Sequence, residues 1–161
     1  MSSRPGEVLR HSVIDRILAD GGGGRSVDLR IGVEELRRAL RRDIEWLLNS
    51  KQPRLTSFAG RPECSASILN YGVPDITQFN SHSQSDRAEL CRLIAAALRS
   101  FEPRLLRESI RVEFVEASGA AGLDLHFRIS GVLHVEPIHE PIAFDTNVDV
   151  ETASFALKVA D

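Results

Sequence analysis

Apolar residues follow a helical spacing in the first part of the chain. Two stretches, Glu7 to Ala19 and Gly32 to Asn49, repeat apolar residues roughly every 3.6 positions, which predicts two amphipathic helices. A third helix is predicted to begin at Asp86, where Glu89 completes a capping pattern, and to end before Pro103. Helices are therefore predicted ahead of any strand.

Beyond Leu106 apolar and polar residues alternate, which is the spacing of strands that bury one face. The alternating apolar positions are Ile110, Val112 and Phe114, then Leu123, Leu125, Phe127 and Ile129, then Leu133 and Val135, and finally Phe155, Leu157 and Val159. The stretch Ser118 to Gly122 is expected to form a hairpin loop, and Ser130 with Gly131 a bend or bulge between the second and third strands.

Helices followed by a meander of strands predict an α+β fold. We expect an antiparallel sheet of about four strands in the C-terminal half, covered on one face by helices from the N-terminal half. The last strand is expected at an edge of the sheet, where it could pair with a strand of another chain.

Two segments rich in small or polar residues divide the helices. Four consecutive glycines, Gly21 to Gly24, lose much conformational entropy when ordered, so residues 1–24 are expected to be a mobile N-terminal helix with a glycine hinge, and residues 25–161 a single domain. The stretch Ser50 to Asp86, with an apolar island at Ile68, Leu69, Tyr71 and Val73, is expected to be an ordered loop. Within it, Asn70 to Asp75 combines turn formers with apolar anchors and is expected to be irregular backbone that side chains pin to the core.

Charge is unevenly distributed along the chain. Residues 1–62 carry twelve basic and eight acidic side chains, whereas residues 101–161 carry five basic and eleven acidic ones. Arginines of the second predicted helix could give a basic surface for an acidic partner, or could simply be solvated. They are Arg37, Arg38, Arg41 and Arg42. Because acids are mixed among them and aromatic residues are not interleaved, we expect no nucleic-acid partner.

The sequence contains no export or membrane signal that we can identify. No apolar run approaches the ~18 residues that span a bilayer, and the charged N-terminus does not resemble a signal peptide. Cys64 and Cys91 lack metal-type spacing and are expected to be reduced thiols. We therefore expect a cytoplasmic protein without direct membrane insertion.

Candidate catalytic chemistry is weak throughout. His134 and Glu136 share a face of a predicted strand, with His139 and Glu140 just beyond, but a zinc site needs three or four convergent ligands, and exposed polar residues are the alternative. The sequence has no Gly-x-Ser-x-Gly elbow, no phosphate-binding Gly-Lys-Ser/Thr ending, and no carboxylate pair that stands out for glycoside hydrolysis. We predict no catalytic residue, no cofactor and no metal.

One short segment, Phe101 to Leu105, places a charged pair on either side of a rigid proline. Arg104 could form a bidentate contact with a carboxylate of a partner while Glu102 accepts a donor. Alternatively, Glu102 and Arg104 could pair with each other and order the turn. The residues alone leave both possibilities open.

Three blocks resemble, in the same order, the TssE family of type VI secretion baseplate subunits, which is similar to the baseplate wedge protein of contractile phages and carries a lysozyme-like label. They are Arg41 to Asn49 (RRDIEWLLN), Ser67 to Asp75 (SILNYGVPD) and Phe101 to Leu105 (FEPRL). A weaker fourth block, Leu133 with Glu140 to Thr146, resembles the closing strands of that family.

This resemblance implies a non-enzymatic structural subunit of the baseplate wedge that helps to start polymerisation of the contractile sheath. Glu102, Pro103 and Arg104 would face the wedge partners TssF and TssG, and the sheet would join the sheath proteins TssB and TssC through shared strands. TssK and the VgrG/Hcp hub and tube are further candidate partners, and assembly is expected at the cytoplasmic face of the inner membrane. Peptidoglycan hydrolysis, as the lysozyme-like label suggests, is the alternative.

Overall fold

The computed structural model of the chain describes residues 33–52, 62–65, 67–116, 124–135 and 138–160. The helix predicted over Glu7 to Ala19, the glycine run and the loop at Ser118 to Gly122 lie outside the described residues. The division of the chain into residues 1–24 and 25–161 therefore stays a prediction.

Helices precede a four-stranded antiparallel sheet, which confirms the predicted α+β fold. The helices are α1 (Val33–Asn49), the four-residue α2 (Pro62–Ser65) and α3 (Gln84–Phe101), with short 3-10 turns at Ile68–Asn70 and Arg107–Ser109. The strands are β1 (Arg111–Val115), β2 (Asp124–Val135), β3 (Ile138–Asp149) and β4 (Ser154–Val159), in the spatial order β1-β2-β3-β4.

The core lies between the sheet and the two long helices. The buried stripe of α1 contacts β4, the stripe of α3 contacts β1, and the helices touch each other, so that one face of the sheet is covered. The fully buried large residues of this layer include Leu40, Ile44, Ile94, Leu98, Phe127, Ile129 and Phe144. Each such side chain contributes about 1.5–3 kcal/mol when it leaves water. The opposite face carries polar pairs such as Arg128 with Asp145, 2.8 Å apart.

The expected bend at Ser130 and Gly131 is wrong. Strand β2 continues through both residues, and its register with β3 is unbroken from Asp124 opposite Asp149 to Val135 opposite Ile138. Gly131 lies against the segment after α3, and a Cβ there would make ordinary van der Waals contact, 3.5 Å from the Ser109 Oγ. The alternation predicted two strands, one over Leu123 to Ile129 and one over Leu133 to Val135, where the structure has the single strand β2. Most of β3 was indicated only by the family resemblance.

The start of α3 also differs from the prediction. The helix begins at Gln84, and its cap is Ser83, whose Oγ accepts the Asp86 N–H at 3.3 Å. The Asp86 carboxylate accepts the Asn80 N–H at 2.8 Å and the Ser83 hydroxyl at 3.0 Å, and these bonds, the Asn80 bond first, lower the pKa of Asp86. Asp86 therefore lies in the first turn, and the cap precedes it because the Ser83 hydroxyl reaches the free N–H groups.

Strand β4 lies at the sheet edge as predicted, but α1 covers its outer side. The Asn49 side chain accepts the Phe155 N–H and donates to the Phe155 carbonyl, both at 2.9 Å, and Arg41 donates to the Leu157 carbonyl at 2.9 Å. These side chains occupy backbone groups that an incoming strand would need. The edge is therefore partly closed.

In the loop before α3, the apolar residues of Asn70 to Asp75 hold the backbone to the core. Val73 is buried and Tyr71 packs on Phe101, as expected of anchors. Ile68 and Leu69, which precede this segment, are 82% and 53% exposed. None of the helices in the described part of the chain is long and apolar enough to cross a membrane.

Candidate partner-binding site

The Glu102-Pro103-Arg104 corner begins where α3 ends. Glu102 is the C-terminal cap of the helix and donates its N–H to the Leu98 carbonyl at 2.9 Å. Pro103 has no N–H and cannot continue the helix. The Leu105 N–H then returns to the Glu102 carbonyl at 3.3 Å, which closes a turn around the proline.

The backbone after Pro103 is bound to β2. The His134 N–H donates to the Arg104 carbonyl at 2.8 Å, and the Leu106 N–H donates to the Val132 carbonyl at 2.9 Å. These bonds lie where β2 extends past its last pairing with β1. The corner is thus held against the sheet and its position does not depend on side chains alone.

The side chains of the corner pair with each other. Arg104 donates through Nε to the Glu102 Oε1 at 2.7 Å and through Nη2 to the Glu102 Oε2 at 2.7 Å. Nη2 also donates to the Asp43 Oδ2 of α1 at 2.9 Å. The internal ion pair, which was one of the two possibilities that the sequence left open, is therefore present.

This ion pair is largely withdrawn from water. Glu102 is 5% exposed and the Arg104 side chain 22%. Burial by itself disfavours the charged guanidinium, but the hydrogen bonds and negative charges of Glu102 and Asp43 outweigh it and raise the pKa of Arg104 above its usual value. Arg42 donates to the Asp43 Oδ1 at 2.9 and 3.0 Å, so two cations balance two carboxylates. Such a buried network is stable when every charge has a partner.

A cleft of about 320 Å³ lies beside this network. Its other walls are mainly apolar or aromatic and include Trp46, Leu47, Tyr71, Phe101 and Pro103. Trp46 is 49% exposed, and the Arg42 guanidinium lies 4.9 Å from its ring centroid. Burial, followed by the charges of Asp43 and Glu102, raises the pKa of Tyr71. The cleft therefore offers an apolar concavity with balanced charges at one side.

Comparison with known proteins decides which family has this arrangement. The model of the family "Baseplate wedge protein gp25" matches residues 34–138. The chain belongs to this family. The sequence-based family assignment is thereby confirmed, and the matched residues contain all three blocks that carried it.

A solved structure of the baseplate complex from the type VI secretion system contains a chain similar to this wedge protein. The two chains share 17% identity with a TM-score of 0.50, and the match covers 72% of this chain and 96% of the other. At this identity the similarity shows the fold. No match was found among the curated proteins.

The histidine cluster considered from the sequence is divided between the two faces of the wedge protein's sheet. The rings of His134 and His139 meet edge to face on the outer side, with centroids 4.3 Å apart. Glu140 instead reaches Arg37 of α1 at 3.0 Å, and Glu136 lies outside the described residues. Within the ranges that the structure describes, no three His, Cys, Asp or Glu residues come together as metal ligands.

The arginines of α1 are mostly engaged within the wedge protein. Arg37 pairs with Glu34 at 3.2 Å and Glu140 at 3.0 Å, and Arg41 pairs with Glu45 at 3.1 Å besides its bond to β4. A large share of the predicted basic surface therefore joins α1 to its own acids and to the sheet.

Asp43 is the site residue that sequence reasoning missed. It lies 61 positions before Arg104, and charge patterns along a helix do not indicate a partner so distant in the chain. The only signal was its place in the first family block, RRDIEWLLN.

The network predicts strong coupling between Glu102 and Arg104. Arg104→Ala should lower the free energy of unfolding by about 3–5 kcal/mol, because a buried carboxylate loses its partner. The double variant with Arg104→Ala and Glu102→Gln should lose ~1–3 kcal/mol less free energy of unfolding than the two single variants lose together. Urea unfolding followed by fluorescence of Trp46, the single tryptophan, measures this.

Arg128→Ala is the matched control, because its ion pair with Asp145 is exposed to water, and the urea midpoint is expected to stay close to that of the unchanged protein. Additive losses at Glu102 and Arg104 would contradict the coupled network.

Proposed function

We propose that this wedge protein is a non-enzymatic connector of the type VI secretion baseplate. It binds TssF and TssG through Glu102, Pro103, Arg104 and the adjoining cleft, and it links them to the TssB and TssC sheath, whose polymerisation it helps to start. TssK and the VgrG/Hcp hub and tube are further neighbours in this assembly at the cytoplasmic face of the inner membrane. Family membership supports the baseplate role, and the rigid corner beside an open cleft is the observation that carries the binding site.

The internal ion pair changes the chemistry that we propose for the corner. Both donors on one edge of the Arg104 guanidinium are bound to Glu102, so they are not available to a partner carboxylate without breaking the pair. Arg104 therefore acts by holding Pro103 and the cleft walls in place. A surface that is ordered before binding loses less entropy when it docks, which favours affinity.

Binding should consequently depend on the cleft as well as on the motif. Trp46→Ala and Arg104→Ala should each weaken binding to a purified TssF–TssG complex by at least about tenfold, Trp46 through lost contact and Arg104 through a loosened corner. Calorimetric titration at a temperature where both variants remain folded measures this effect. Arg128→Ala, on the outer face of the sheet, serves as the control. Undiminished affinity of both cleft variants would refute the site.

For the sheath, we propose that strand sharing occurs at β3 and not at β4. Strand β4 ends opposite Phe144, so β3 extends beyond it towards Ile138. The His134 N–H donates to the Arg104 carbonyl, away from β3, so His134 and His139 form a non-hydrogen-bonded pair of the antiparallel ladder. The backbone N–H and carbonyl of His139 therefore point away from β2. An incoming strand could therefore pair with the His139 backbone, whereas the edge of β4 is occupied by Asn49 and Arg41.

His139→Pro tests this edge, because proline removes the outward N–H and leaves the β2–β3 ladder intact. We expect it to weaken binding to the TssB–TssC pair by about fivefold or more, as one backbone hydrogen bond and the local fit are lost. His139→Ala keeps the N–H and should bind normally. Equal behaviour of the two variants in a pull-down titration would argue against strand pairing at this position.

The alternative function is peptidoglycan hydrolysis. Glycoside hydrolysis needs one carboxylic acid that carries a proton. The two carboxylates beside the cleft, Asp43 and Glu102, both accept hydrogen bonds from Arg104, so they are already engaged within the protein. The purified protein is therefore expected to leave peptidoglycan intact in a zymogram. Clearing that disappears in Glu102→Gln would establish the enzyme instead.

A further inference from the structure

The backbone groups that face outward from β4 belong to alternate residues of the strand. The Phe155 N–H and carbonyl are both bound to Asn49, so this residue faces away from β3. Leu157 and Val159 must then face outward as well, and the Ala160 N–H, on the opposite alternation, donates to β3 at 3.1 Å. An incoming strand would therefore bind at Phe155, Leu157 and Val159.

Asn49 binds β4 in the way that a neighbouring strand would. Its Oδ1 accepts the Phe155 N–H and its Nδ2 donates to the Phe155 carbonyl, both at 2.9 Å. A residue of an antiparallel neighbour makes the same two bonds in a hydrogen-bonded pair, and here a side-chain amide makes them. Nδ2 also donates to the Glu45 carbonyl at 2.9 Å, which fixes the amide to the last turn of α1.

Arg41 occupies the next outward carbonyl of β4. Its Nη1 donates to the Leu157 carbonyl at 2.9 Å and to the Glu45 carboxylate at 3.1 Å. Arg41 and Asn49 lie about 12 Å apart along α1, whereas the carbonyls that they bind lie roughly 7 Å apart along β4, and the longer arginine side chain spans the difference. These two residues are the ends of the block RRDIEWLLN, which carried the family resemblance.

A second copy of β4 has a pattern that matches this edge. Facing residues of an antiparallel pair lie on the same side of the sheet, so a strand can pair with its own copy and keep its apolar side chains on one face. Phe155 and Leu157 are buried on that face and alternate with exposed residues. Pairing centred on Leu157 would place Leu157 opposite its copy and Phe155 opposite Val159, across a two-fold axis.

In this register, the groups that α1 occupies block every bond between the two copies. Each bond of the outer pairs joins a group of Phe155 to a group of Val159, and Asn49 holds both groups of Phe155. Each central bond joins the N–H of one Leu157 to the carbonyl of the other, and Arg41 holds that carbonyl. Two side chains are therefore sufficient to close the edge against its own copy.

We propose that Asn49 and Arg41 determine which strands this protein accepts, by preventing β4 from pairing with a second copy of the chain. An uncovered edge strand is a template for such pairing, and side chains that occupy its backbone groups remove the template. This inference goes beyond the proposed function, because it concerns contacts between copies of this chain and requires no baseplate partner.

The test measures self-association of the full chain by sedimentation equilibrium under reducing conditions, which keep Cys64 and Cys91 from cross-linking copies. The variants are Asn49→Ala, Arg41→Ala and the two together, at a temperature where urea unfolding shows each to be folded. The double variant should dimerise at least about tenfold more strongly than the unchanged protein, since all the bonds of the pairing become available.

The single variants should differ in a defined order. Asn49→Ala frees the bonds with Val159 at both ends of the pairing, whereas Arg41→Ala frees only the central bonds, so Asn49→Ala should associate more strongly. Arg38→Ala is the matched control and should behave as the unchanged protein, because the bond of this arginine stays within α1. Amide hydrogen exchange of Leu157 and Val159 should slow when the double variant dimerises.

Val159→Pro tests whether β4 is the pairing strand. Added to the double variant, it removes an outward N–H and leaves the ladder with β3 intact, so it should abolish the new association. A double variant that is folded and stays monomeric would mean that the body of α1, and not these side chains, closes the edge. Association that persists with Val159→Pro would place the contact elsewhere. Self-association of the unchanged protein that Val159→Pro abolishes would mean that the edge is open, and each of these results overturns the inference.

Discussion

The buried contact of Arg104 with Glu102 and Asp43 joins three parts of the fold at one point. Glu102 belongs to the end of α3, Asp43 to the middle of α1, and the Arg104 carbonyl is bound to His134 of β2. Loss of one partner is costly in this network, because the remaining charges would stay largely desolvated. The relative position of the two helices and the sheet is therefore coupled to one side chain.

The same helix that supplies Asp43 also closes the sheet edge. Asn49 and Arg41 of α1 bind the outer backbone groups of β4, where an uncovered strand would invite pairing with other molecules. In the connector that we propose, strand pairing is thereby directed away from β4 and towards the part of β3 that extends past it. One blocked edge and one accessible edge suit such a connector, which must join selected neighbours only.

The connector that we propose uses two surfaces on a common base. The strands β2 and β3 form a long hairpin, and the Glu102-Pro103-Arg104 corner is bound to the β2 side while the free part of β3 lies on the other side. Because adjacent strands are about 4.8 Å apart, the two surfaces are separated by only a few strand spacings.

Local pattern was sufficient for much of the fold. The helical stripes of α1 and α3, the alternation in β1 and β4, and the proline that ends α3 are each decided by neighbours within a few positions, so periodicity predicted them. Prediction failed at Ser130 and Gly131, where a glycine that resembled a break lies within an unbroken strand ladder. The exposure of Ile68 and Leu69 was not predictable either, because apolar composition does not reveal which side of a turn faces the core.

The candidate site, like the fold, was predictable from the sequence only in part. The residues Glu102, Pro103 and Arg104 could be chosen from the sequence, since a proline between two charges restricts the backbone locally. Whether the arginine would bind its own glutamate or a partner was decided only in three dimensions, by the arrival of Asp43 from a helix 61 positions away and by the burial of Glu102. Long-range contacts of this kind depend on how whole elements pack, and no local spacing of residues encodes the resulting distance.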